Sequence, residues 1–194
     1  MKQITTTVLL MAFCAFALGQ DKPMDMPKGI KGSYMKQAMY VQSQLMPLVD
    51  AFSNEQLNYR PMEGVRSTAE HFYHIAAGNY LSMKFAGYET PKDVDLQTIE
   101  KSPVDKAQIK AAVTRSFDFA AECIAKIPES AYEDSVNFFG NKMTKLDMIV
   151  LAIYHQHEIL GELISYARVN KVVPPWTAAR QKRMQEQAKP SEKK

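Results

Sequence analysis

The feature that most constrains this chain is a set of four long stretches in which apolar residues recur at helical spacing, each bounded by residues that start or stop a helix. The first runs from about Tyr34 to Phe52 and carries Met39, Val41, Leu45, Met46, Leu48 and Val49. The second starts at Ser67. Ser67 and Glu70 have capping-box spacing, in which the hydroxyl accepts an N-terminal N–H and the carboxylate reaches back. That helix continues to about Ala86 and ends at Gly87. The third is predicted to open at Ser102-Pro103, with proline at the first helical position, where a missing N–H costs nothing. It runs to Ile127, before Pro128. The fourth begins near Thr144, with Asp147 three residues on, and reaches Val169; Asn170 and Pro174-Pro175 prevent continuation.

At 1.5 Å per residue each stretch spans roughly 30–40 Å. Similar lengths with polar connections predict an all-α chain, an antiparallel four-helix bundle around one core. Strand signals are weak throughout, so no sheet is expected. The connections 87–101 and 128–143 are each about 15 residues, a length at which loops commonly carry function or structure of their own. In the fourth helix, Leu146, Val150, Ile153, His157, Leu160 and Ile164 form the stripe predicted to face the core. A second, mixed stripe of Met148, Ala152, His155, Ile159, Glu162 and Tyr166 suits either a pocket lining or a boundary face.

The ends read differently. Lys2 precedes an apolar run from Val8 to Leu18, too short to span a bilayer, and Ala17-Leu18-Gly19 offers the small residues a signal peptidase reads. Residues 1–19 are therefore expected to be a signal peptide, with cleavage after Gly19 and export to the periplasm or the extracellular space. Residues 20–33, with two Pro and two Gly between Asp21 and Gly32, read as a linker. Residues 34–178 form the expected domain, and 179–194 a charged, disordered tail. No other stretch is apolar enough to cross a membrane.

Charge and thiols exclude several function classes. The 24 Lys and Arg against 21 Asp and Glu give a net charge of +3, too balanced to argue for nucleic acid or an acidic membrane. Cys14 falls in the predicted signal peptide, which leaves Cys123 as a single thiol unable to form an internal disulfide. Cys123 lies in the apolar run Phe117–Ile127 and reads as a small core residue. No G-x-S-x-G, H-E-x-x-H or phosphate-binding glycine loop is present.

The four histidines all fall in predicted helices. Three positions turn a helix by about 300°, so His71 and His74 share a side. Two positions turn it by about 200°, so His155 and His157 point apart and cannot both ligate one ion. His157 interrupts the core stripe and reads as a core or edge histidine bonded to a neighbour.

The stretch from Arg66-Ser67 through His74-Ile75-Ala76-Ala77-Gly78-Asn79-Tyr80 resembles the second helix of DinB-like (DinB/YfiT) proteins. His155-Gln156-His157-Glu158-Ile159-Leu160-Gly161-Glu162, continuing to Arg168 and followed by Val172-Val173-Pro174-Pro175, resembles their last core helix. Arg60-Pro61 and Gly64-Val65-Arg66 resemble the turn before the second helix. The likeness covers about residues 34 to 178. It implies the DinB/YfiT-like bundle, a homodimer, and a divalent metal (Zn, Ni or Fe) held by one His of the second helix and an H-x-x-x-H pair of the last. His74 and His155 match two ligands. The third falls on Ile159, which cannot bind a metal, and Glu162 replaces the family's usual Gln. The set carried over is therefore His74, His155 and Glu162, two imidazoles and one carboxylate.

Two function classes stand open at this point. One is a metal-dependent transferase acting with low-molecular-weight thiols, or a hydrolase, with the metal lowering the pKa of a bound thiol or water. The other is a non-catalytic bundle that binds a small apolar ligand or a partner protein, its Met, Tyr and Phe lining an adaptable pocket.

Overall fold

The structure, a computed structural model, describes residues 26–188. The expected signal peptide and the last residues of the charged tail lie outside the described residues. The elements are α1 (Gly29–Ala51), α2 (Asn54–Asn58), α3 (Thr68–Phe85), α4 (Lys106–Lys126), β1 (Ser135–Phe138), β2 (Asn141–Thr144), α5 (Lys145–Val169) and α6 (Pro175–Gln187). α1, α3, α4 and α5 are the four long helices expected from the sequence. No helix among the described residues is long and apolar enough to cross a membrane.

The capping boxes at Ser67/Glu70 and Thr144/Asp147 both form. A third, Ser53/Gln56, starts the short α2, in a segment that reads from sequence only as a stop. The third long helix opens later than predicted: the Asp105 carboxylate, a stronger acceptor than the Ser102 hydroxyl, takes the Gln108 N–H at 2.9 Å. Ser102 and Pro103 instead follow a 3-10 turn at Ile99–Lys101. The hairpin was not expected. Its two-residue turn, Phe139-Gly140, has φ of +50° and +88°, the backbone that tight hairpins need. Each strand has only four residues, too few for alternation to stand out. Helix α6 extends to Gln187, into the charged tail next to the domain, with Pro175 pre-set at its first turn.

α1 and α3 each pack against both α4 and α5. Side-chain pairs fix the directions. Lys31 meets Ala125 and Asp50 meets Lys110, so α1 and α4 are antiparallel. His71 meets Glu162, while Gly78 meets His155, so α3 and α5 are antiparallel. Tyr73 bonds Pro103 and Asn79 bonds Ser116, so α3 and α4 run parallel. Tyr34 bonds Gln156 and Gln56 bonds Asn170, so α1 and α5 also run parallel. Parallel neighbours need a crossover along the bundle. The long 86–105 segment is that crossover, and it returns the chain to the end where α3 begins.

The core is built from Tyr34, Leu45, Leu48, Phe52, Phe72, Ile75, Ile109, Ile124, Met148 and Leu163, all at most 1% exposed. Cys123 is 4% exposed, as a core thiol should be, and burial pushes its pKa up to about 11. On α5 the predicted core stripe holds at Leu160, 4% exposed, with Ile153 and Ile164 partly buried, and fails elsewhere. Val150 is 43% exposed, while Met148, Ile149, Ala152, Gln156, Ile159, Leu163 and Ala167 are buried. The helix carries Leu, Ile or Val on every side, so periodicity alone does not select the inward face.

One polar layer crosses this core, with one residue from each long helix. Gln156 donates to Asn79 Oδ1 (2.8 Å) and to the Tyr34 hydroxyl (3.3 Å). Asn79 donates to Ser116 Oγ (3.1 Å), which donates to the Val113 carbonyl (2.8 Å). Gln156 Oε1 is buried without a protein partner among the described residues.

Candidate functional site

The midpoints of α3 and α5 bring His74 and His155 together. Their rings are 4.9 Å apart between centroids and nearly perpendicular, at 82°. Gly78 makes this approach possible. A Cβ at that position would lie 2.3 Å from Cδ2 and 2.4 Å from Nε2 of His155, so the ring occupies the space a side chain would need. His155 turns Nδ1 toward Glu158, 3.8 Å away. Burial, and then the neighbouring His74 charge, hold the His155 pKa below its ordinary value, with Glu158 opposing.

The crossover supplies a residue that sequence reasoning missed. Glu100 accepts a hydrogen bond from His74 Nδ1 at 2.6 Å. Its other oxygen accepts from Arg66 Nε at 2.7 Å. Burial acts to raise the Glu100 pKa, but the hydrogen bonds from Arg66 and His74 outweigh it, and the net shift is downward. No local pattern marks Glu100 in the sequence. The only hint was the length of the loop that carries it.

The two imidazoles and Glu100 form one end of a cavity of about 250 Å³. Ala77 and Leu81 of α3, Leu151 of α5, Leu96 of the crossover and Phe138 of the hairpin make its apolar walls. Both long connections thus close the same space. Phe138 is held by Phe85 and Phe139, with centroids 4.8 Å from each.

Glu162 is placed elsewhere. Its Oε2 lies 2.9 Å from Nε2 of His71, about a turn away along α3 from His74. His71 Nδ1 donates to the Ser67 carbonyl at 3.0 Å, which leaves Nε2 facing the carboxylate. This pair borders a separate polar cleft with Arg60, Glu70 and Tyr166. His157 sits at the edge of the bundle, stacked on Tyr40 and bonded to Gln37 at 2.9 Å, as the edge reading expected.

The DinB superfamily profile matches residues 38–163. The chain belongs to the DinB superfamily. Its fold is similar to that of a DinB-like protein from Bacillus cereus ATCC 10987, at 16% identity and a TM-score of 0.64, over 75% of this chain and 95% of that one. A DinB-like protein from Bacillus subtilis gives 16% identity and a TM-score of 0.56, over 73% and 93%. These likenesses concern the fold alone. The comparison with curated proteins gives no match.

The residues of this DinB superfamily chain do not fit a metal held by three protein ligands. Among the described residues no group of three or more His, Cys, Asp or Glu is placed to hold an ion. Ile159, at the position of the third imidazole, is buried hydrocarbon at 3% exposure. Glu162 is engaged with His71, and Glu100 is engaged with Arg66 and His74.

Proposed function

We propose that this chain is a binding module that takes a small, largely apolar molecule in the cavity between α3 and α5. One observation carries the reading: apolar walls from four segments converge on a polar end made of His74, His155 and Glu100. A cavity with hydrocarbon walls and a few convergent polar groups is the usual form of a small-molecule site. Its volume lies just below the roughly 300–1,000 Å³ common for such sites, which favours a compact ligand of about one ring. The walls supply affinity by burial, and the polar end sets orientation.

The test uses ethylbenzene, which matches the apolar walls. A ligand bound only by the native state raises stability by mass action. Ethylbenzene is expected to raise Tm in the native sequence and to leave Tm unchanged in Leu151→Trp, where the indole fills the cavity. No rise in the native sequence would overturn the reading.

We also infer that the chain is exported. Support comes from the sequence alone: a positive start, an apolar run of limited length and small residues before position 20. N-terminal sequencing of the protein recovered outside the cytoplasm is expected to begin at Gln20. Retention inside the cell with Met1 in place contradicts it.

A further inference from the structure

We propose that the polar group of the bound molecule is a neutral hydrogen-bond donor, an O–H or N–H, received by Nε2 of His74. This inference rests on the cavity reading above. Glu100 fixes the tautomer. Its carboxylate accepts from Arg66 at both oxygens, at 2.7 and 3.3 Å, and the second of these also meets His74 Nδ1, so the proton of a neutral His74 lies on Nδ1. Nε2 then keeps its lone pair, and it makes no hydrogen bond to protein among the described residues.

Two further polar residues line the cavity, Ser82 and His155. Ser82 donates its hydroxyl proton to the Gly78 carbonyl at 2.8 Å. His155 turns Nδ1 toward Glu158 at 3.8 Å, too long for a hydrogen bond, and lays Nε2 over Gly78. The acceptor whose tautomer the structure fixes is therefore Nε2 of His74. A carboxylate or phosphate would set acceptor against acceptor, beside the Glu100 charge. An ammonium group could donate, but it would lose its hydration against apolar walls, which is costly for a charge. A neutral hydroxyl or N–H on an apolar body satisfies both His74 Nε2 and the apolar walls.

The experiment is calorimetric titration of the full chain at pH 8 with EDTA present, using four probes of matched shape: 4-ethylphenol, 4-ethylanisole, ethylbenzene and 4-ethylbenzoate. 4-Ethylphenol is expected to bind about tenfold tighter than 4-ethylanisole or ethylbenzene, the scale of one net hydrogen bond. 4-Ethylbenzoate is expected to bind weakest. His74→Phe, which keeps an aromatic ring in place, is expected to equalise 4-ethylphenol and ethylbenzene. If ethylbenzene binds and the phenol binds no better, or the benzoate binds best, the donor assignment fails and the cavity reading stands. If none of the four binds, both fall.

Discussion

Gly78 and His155 share one space: a Cβ at Gly78 would come within 2.4 Å of His155 Nε2. The absence of a side chain on α3 is what admits an imidazole from α5 beside His74. Gly78→Ala would raise helix propensity, worth about 0.5–1 kcal/mol. It also forces the ring away, and overpacking of this kind costs about 1–3 kcal/mol. His74, 4.9 Å from the His155 ring, limits its retreat, so the second effect is expected to win. Urea denaturation is expected to show Gly78→Ala less stable than the native sequence, and Gly78→Ala/His155→Ala more stable than Gly78→Ala alone. Independent, additive effects of the two changes would contradict the contact.

Gln156 of α5 bonds directly to α1 through Tyr34 and to α3 through Asn79, which reaches Ser116 of α4. Gln156→Ala leaves Asn79 Oδ1 and the Tyr34 hydroxyl without their donor in the core. It also opens a cavity. The expected cost is about 2–4 kcal/mol by denaturant unfolding. A loss under ~0.5 kcal/mol would show that the polar layer contributes little.

Acid is expected to weaken the fold in two stages. The His155 pKa is depressed by burial, so the unfolded chain takes its proton first as pH falls through about 6.5. Stability then declines with falling pH until the folded value is passed. The Glu100 pKa is also lowered, on balance, by Arg66 and His74. Its contribution is present above about pH 4.3 and is lost as pH falls through the folded value. His155→Phe is expected to remove the upper stage and leave the lower. A urea midpoint that is flat between pH 7 and 5.5 in the native sequence would contradict the first stage.

Ile159 blocks the third imidazole position of the metal set. Because two imidazoles alone form an incomplete site, zinc is expected to leave the native Tm unchanged. Ile159→His is expected to make Tm rise with zinc, and EDTA to reverse it. An equal rise in both proteins would show that His74 and His155 suffice.

What was legible in the sequence followed short-range physics. Ser67 with Glu70 and Thr144 with Asp147 announce their helices because a capping box is made within four residues. His74 and His155 could be matched to each other through resemblance, and the structure brings their rings to 4.9 Å. The rest depends on distant partners. Glu100 acquires its role only because α3 and α4 are parallel and the crossover must return to the start of α3. Glu162 looked available for His155, but antiparallel packing sets it opposite His71. The α5 core face was misread because hydrocarbon surrounds that helix, and only the packing of α1, α3 and α4 selects the buried side.

The central claim is that one cavity, walled by hydrocarbon and closed by His74 and His155, receives the ligand. Methyl-labelled NMR of the chain titrated with 4-ethylphenol addresses it directly. Signals from Leu81, Leu96 and Leu151 are expected to shift together and to saturate with a single affinity, while those of Leu45 and Leu48, deep between α1 and its neighbours, stay fixed. Shifts absent from those three leucines, or centred on the exposed Met39 and Val150, would place binding elsewhere and contradict the account.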